Sequence, residues 1–213
     1  HKLNLKTTGL IRGEQPTVEN YTLADMKRWG MNLKFITRGA FRDLRKYRNH
    51  DAEPAKKYNG FWIAEGGACH DALCGAAEIV KEIELDFDTL TLACGTGTTL
   101  AGIARTIPAS KKVLGFSALK GGGFLENNIK KLLHMKGMPN WSVNFDYHFG
   151  GFAKTTDELA SFIEVFQSYN NIPLERLYNG KMLYGLLDLI KNHRFKKNHK
   201  VIAIHTGGLQ GNR

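Results

Sequence analysis

Short β-rich runs alternate with longer segments of helical spacing along nearly the whole chain, and this alternation limits the possible folds more than any other feature. The strand candidates are residues 3–11 (LNLKTTGLI), 32–37 (NLKFIT), 60–64 (GFWIA), 88–93 (DTLTLA), 112–119 (KVLGFSAL), 141–147 (WSVNFDY) and 200–205 (KVIAIH). Helix candidates fill most of the gaps: 21–29, 71–84, 98–107, 124–135, 155–169 and 180–192. In the fifth, Thr155 and Glu158 stand at capping-box spacing, and Leu159, Phe162, Ile163 and Phe166 fall on one helical face. Strand and helix in alternation predict an α/β fold with a mostly parallel sheet and helices on both of its faces.

A chain of 213 residues can bury the core of one large domain. The polar stretch 49–59, with Pro54 inside it, reads as a connection. It predicts a small unit over residues 1–57 and a larger one over 58–213. The first strand candidate begins at Leu3 with nothing ahead of it to cover its edge, as expected of a chain that opens inside a domain.

Net charge is +10, but the excess is concentrated. KNHRFKKNHK, residues 191–200, carries Lys191, Arg194, Lys196, Lys197 and Lys200 with no acid, and FRDLRKYR, residues 41–48, holds four bases against one acid. Such runs read as solvated faces or connections, and no interleaved aromatic platform accompanies them, so no nucleic-acid partner is expected. No apolar run reaches membrane-spanning length, so no membrane partner is expected and the cytoplasm is the default location. Cys69, Cys74 and Cys94 are too few for a disulfide framework, and CHDALC lacks zinc-site spacing, so no metal is predicted. Asp86 and Asp88 precede a strand and belong at its N-terminal end.

Three glycine clusters stand at the ends of apolar runs: IAEGGACHDALCG (63–75), TLACGTGTTLAGIA (91–104) and VIAIHTGGLQG (201–211). In an open parallel sheet the C-terminal strand ends meet at one crevice, where ligands bind. CGTGTT has Leu100 where a dinucleotide fingerprint needs its third glycine, and no Gly-Lys-Ser/Thr follows. A steric turn is one reading of such a loop. The other is a nest of amides from Gly95 to Thr99 for a single phosphate, with the hydroxyls of Thr96, Thr98 and Thr99 as further donors.

The ordered set IAEGGACHDALCG, ACGTGTTLAG, FGGFAKTTDELASF, LYNGKMLYGLLDLI and AIHTGG resembles the pyridoxal-phosphate enzymes of the 1-aminocyclopropane-1-carboxylate deaminase and D-cysteine desulfhydrase family. The match runs from about residue 9 to the C-terminus. The resemblance implies the tryptophan-synthase β-subunit fold, a small amino-acid substrate and a homodimer. It makes Gly95, Thr96, Gly97, Thr98 and Thr99 the cup for the 5′-phosphate of pyridoxal phosphate. It places Thr206 at the pyridine nitrogen and Tyr178 over the substrate.

This chain departs from the family pattern at two positions. Asn179 replaces a glutamate beside the ring nitrogen, and Phe152 replaces a substrate-side tyrosine. Both changes favour β-elimination from D-cysteine over cyclopropane ring opening. The family's Schiff-base lysine and the Ser-Asn-His segment after it have no counterpart here. Lys120, Lys154 and Lys181 lie near glycines but not at the matching position, and each is expected to be solvated or structural. The expectation is therefore a C-terminal portion of a larger enzyme, inactive by itself. The alternatives are a non-catalytic phosphate- or nucleotide-binding domain and a basic interaction module.

Overall fold

Thr8–Arg12 and Asn32–Ile36 pair in parallel as β1 and β2, with Thr8 opposite Asn32 and Arg12 opposite Ile36. The computed structural model describes residues 3–134 and 140–212, and the chain divides into two units, one ending at Ala64 and one covering Glu65–Asn212. Around β1 and β2 lie α1 (Tyr21–Arg28), α2 (Arg38–Leu44) and α3 (Glu53–Tyr58). Asn20 caps α1 by accepting from the Leu23 N–H at 3.0 Å, and Thr37 caps α2 through the Ala40 N–H at 3.1 Å.

Three expectations fail in this unit. The first strand begins at Thr8 and not at Leu3, since the pairing with β2 starts at Thr8 opposite Asn32. The polar stretch 49–59 holds a helix, α3, because Pro54 sits in its first turn, where a missing N–H costs nothing. Residues 60–64 form no strand. Phe61 and Ile63 are exposed, while Trp62 is held by its indole N–H, which donates to the Tyr47 carbonyl at 3.1 Å. An apolar run becomes a strand only where a neighbour completes its ladder, and among the described residues none lies beside this one.

The second unit is built on β3 (Thr89–Cys94), β4 (Lys112–Ser117), β5 (Trp141–Asn144) and β6 (Val201–Ile204), all parallel in the order β5-β4-β3-β6. Every residue of β3 except Ala93 is fully buried, as expected of an inner parallel strand covered on both faces. On one face Leu90, Leu92 and Cys94 pack against α4 (His70–Lys81), α5 (Thr98–Thr106) and α6 (Phe124–Leu133). On the other, Ala93, Leu114 and Phe116 pack against Met182 and Leu186 of α8 (Asn179–Lys191). The predicted α/β architecture with helices on both faces is what forms.

Helix α7 (Asp157–Asn170) buries Leu159 and Ile163, with Phe162 and Phe166 beside them, on the face expected from their spacing. Its cap differs from expectation by one residue. Thr156 is extended and its hydroxyl accepts from the Leu159 N–H at 3.2 Å, whereas Glu158 accepts from the Tyr184 hydroxyl on α8. The last residue of the fourth predicted helix, Met135, lies outside the described residues.

Asp86 and Asp88 sit at the N-terminal edge of the sheet. Asp86 pairs with Lys111 at 3.0 Å and Lys200 at 2.9 Å, and these two lysines hold its carboxyl down to about 2. The end of the basic run 191–200 is thereby fastened to the start of β3: His199 Nε2 lies 2.9 Å from the Thr89 hydroxyl, and the Lys200 N–H donates to Asp88 at 2.8 Å.

Candidate functional site

The C-terminal end of β3 runs directly into α5 through Gly95, Thr96 and Gly97. Gly97 is the N-cap, at φ 85°, and no side chain caps the helix. Its first N–H groups are therefore left open to an acceptor, at the end where the helix dipole favours an anion. A Cβ at Gly97 would lie 2.6 Å from Ile129 of α6, so glycine is required there by close approach as well as by its left-handed backbone. The Thr96 and Thr98 hydroxyls lie 2.9 Å apart, and Thr99 is half-buried one residue further along.

The EGG cluster meets this loop. It forms a short 3-10 turn, Glu65–Gly67, and the Thr96 hydroxyl donates to the Gly66 carbonyl at 3.5 Å. Open amides at a helix start, two converging hydroxyls and a neighbouring glycine turn fit a single phosphate monoester.

Tyr178 is the N-cap of α8 and faces the same loop: a Cβ added to Gly95 would stand 3.4 Å from its hydroxyl oxygen. Burial first, then the nearby carboxylates of Glu175 and Glu65, push this phenol above the ordinary tyrosine value, so it stays protonated at neutral pH. Across from it lies Phe152, half exposed, with ring centroids 5.9 Å apart and planes tilted by 58°.

Asn179 is buried and fully engaged. Its Nδ2 donates to the Gly207 carbonyl at 2.7 Å and to Glu175 Oε1 at 3.2 Å, and its Oδ1 accepts from the Thr206 N–H at 3.4 Å. It thereby fastens the HTGG segment beyond β6 to the start of α8. Thr206 itself is exposed, and its hydroxyl makes no hydrogen bond to any described residue. The structure therefore groups the 95–99 loop, Tyr178 and Phe152, and joins Asn179 to the backbone of Thr206.

Two residues that organise this region carried no usable signal in the sequence. Glu175 is buried, and its carboxylate accepts from the backbone N–H groups of Leu177, Tyr178 and Asn179, those of Tyr178 at 2.9 Å. Lys181, expected among solvated or structural lysines, is structural: it is 1% exposed and donates to the carbonyls of His148 at 2.9 Å and Gly151 at 2.8 Å. Burial pushes its pKa down, and Glu175 opposes that shift. In the linear chain both look like ordinary charged residues near a loop. Lys120 and Lys154 are exposed. All three cysteines are free, and no group of metal-ligating side chains occurs among the described residues. No helix among them is long and apolar enough to cross a membrane.

No family model matches the sequence. A Pyrococcus horikoshii protein assigned as a 1-aminocyclopropane-1-carboxylate deaminase is 30% identical over 226 residues, spanning 99% of this chain and 68% of that protein. The mitochondrial bifunctional D-cysteine desulfhydrase/1-aminocyclopropane-1-carboxylate deaminase of Arabidopsis thaliana is 29% identical over 230 residues, covering 98% of this chain and 57% of its own length. Among solved structures, an ACC deaminase homologue superposes with a TM-score of 0.74 at 29% identity, over 99% of this chain and 68% of that one. A threonine deaminase from Solanum lycopersicum shares the fold at a TM-score of 0.60 and 14% identity, over 97% of this chain and 63% of its own.

Proposed function

The chain belongs to the enzyme family of 1-aminocyclopropane-1-carboxylate deaminase and D-cysteine desulfhydrase, and from that premise we propose that its second unit binds pyridoxal 5′-phosphate and serves β-elimination from D-cysteine. The observation that carries this reading is the open N-terminus of α5 with the Tyr178 phenol standing over its glycine loop. Gly95, Thr96, Gly97, Thr98 and Thr99 would hold the 5′-phosphate, with Thr206 and Asn179 on the side of the pyridine ring. When bound, the cofactor supplies the electron sink that lets the substrate's α-C–H bond ionise.

The remaining roles fall to side chains of this chain. Tyr178, kept protonated by burial and the nearby carboxylates, can give its proton to the sulfur as the Cβ–S bond breaks. Phe152 closes the wall opposite Tyr178 and carries no exchangeable proton. Asn179 is neutral and spends its amide on protein groups. Ring opening of 1-aminocyclopropane-1-carboxylate would lack the second tyrosine and the glutamate that the family brings to it, which supports D-cysteine as the substrate.

Lys181 is bound to two carbonyls, and Lys120 and Lys154 are exposed, so none of these three is proposed as the Schiff-base lysine that the family uses. The unit that ends at Ala64, where the sequence placed the division at residue 57, would be part of the family's small domain, and Glu65–Asn212 most of the large one.

The test uses a form of the protein that supplies that lysine. D-cysteine plus water should yield pyruvate, ammonia and hydrogen sulfide, with kcat/KM at least roughly tenfold above that for 1-aminocyclopropane-1-carboxylate. Tyr178→Phe should lower kcat by about 100-fold or more while the cofactor stays bound. Equal use of the two substrates, or an unchanged kcat in the variant, would contradict the assignment.

A further inference from the structure

We propose that Lys181 is a positioning residue: from beneath the site it holds the 148–152 loop, and through that loop it sets where the Phe152 ring lies against Tyr178. This rests on the reading above only in taking Tyr178 and Phe152 as the walls of the substrate pocket.

Among the described residues only two charged side chains are buried, Glu175 and Lys181. Burying an ammonium group is costly unless it is hydrogen-bonded, and both bonds that Lys181 makes go to a single loop. Lys181 Nζ donates to the carbonyls of His148 and Gly151 at 2.9 and 2.8 Å, which bracket the turn just before Phe152.

The turn is also anchored by Phe149, which packs against the Leu159, Ile163 and Leu174 cluster and meets the Tyr184 ring edge-on with centroids 4.9 Å apart. Phe149, Gly150, Gly151 and Ala153 all have positive φ, at 51°, 89°, 116° and 58°, and two of these four are non-glycine residues for which the left-handed region is unfavourable. Its internal bonds are few: the Gly151 N–H to the His148 carbonyl at 3.0 Å, the Gly150 N–H to His148 Nδ1 at 3.0 Å, and the Lys154 N–H to the Gly151 carbonyl at 3.1 Å. The Lys181 ammonium bridges both ends of the turn and fixes the backbone from which Phe152 projects. Because Lys181 and Tyr178 share the start of α8, the loop and the phenol are referenced to one rigid element.

A probe on Tyr178 tests this without cofactor or turnover. In protein labelled with 3-fluorotyrosine, the Tyr178 resonance is assigned by its loss in Tyr178→Phe. Phe152→Ala should displace it by removing the neighbouring ring current. Lys181→Met should displace it in the same direction, and adding Phe152→Ala to Lys181→Met should displace it little further. If Lys181→Met does not fold, Lys181→Gln, which keeps one donor, should give a smaller displacement of the same sign.

In the active form, KM should rise more than kcat falls. A Tyr178 resonance unmoved in whichever variant folds would overturn the proposal, as would failure of both variants to fold, which would assign Lys181 to folding alone. Neither outcome depends on whether pyridoxal phosphate binds, so the two readings fail separately.

Discussion

Gly97→Ala should destabilise the protein by about 2–5 kcal/mol and abolish retention of the phosphate ligand. The left-handed backbone at φ 85° costs a Cβ-bearing residue about 1–2 kcal/mol. The methyl would also stand 2.6 Å from Ile129 and 3.0 Å from Leu125 of α6, and overpacking of this kind adds about 1–3 kcal/mol. Gly121 is the matched control, because its φ is 69° but nothing lies within 4 Å of the position its Cβ would take. Gly121→Ala should show the backbone cost alone. Urea unfolding of the two variants separates the contributions, and equal midpoints would show that α6 yields to the methyl without cost.

A second large effect is expected at Glu175. Replacing it by alanine strips the acceptor from the N–H groups of Leu177, Tyr178 and Asn179 and removes the one carboxylate that supports the charge of Lys181. A buried donor left unsatisfied costs about 1–3 kcal/mol, and because the Leu177 and Tyr178 donors are only partly buried and cost less than that of Asn179, the variant should lose about 3–5 kcal/mol, near the upper limit for single substitutions. Glu175→Gln keeps an acceptor oxygen and should lose about 1–2 kcal/mol. If Glu175→Ala unfolds at the wild-type denaturant concentration, the first turn of α8 is held by something other than this carboxylate.

Much of this architecture was legible in the sequence because its signals are local. DTLTLA needed only its apolar continuity to read as a strand, and ELASFIEVF only its spacing to show the buried face of α7. Residues 60–64 misled because strand formation depends on a neighbour that the run itself does not encode. The Thr155 cap misled by one position because two adjacent threonines can serve, and the choice between them depends on where Glu158 finds its partner, on Tyr184 of another helix.

The candidate site was legible in the same uneven way. Its glycine loop stands out as a motif, and Tyr178 was pointed to by the family resemblance. The buried roles of Glu175 and Lys181 carry no such signal, because their burial arises only when the 148–152 loop and the HTGG segment close over the start of α8. Charged residues four positions before Asn179 and two after it look alike in one dimension whether solvated or buried.

The central claim is that residues 95–99 hold a phosphate carried on a pyridine ring. Titration calorimetry with pyridoxal 5′-phosphate and with dephosphorylated pyridoxal addresses it directly, repeated on the variant in which Thr96, Thr98 and Thr99 are all valine. A few charge-assisted hydrogen bonds, each worth about 1.5–3 kcal/mol, should give the phosphorylated ligand an advantage of roughly 100-fold or more, and the triple variant should lose it. Equal affinities for the two ligands, or an advantage that survives in the valine variant, would contradict the account.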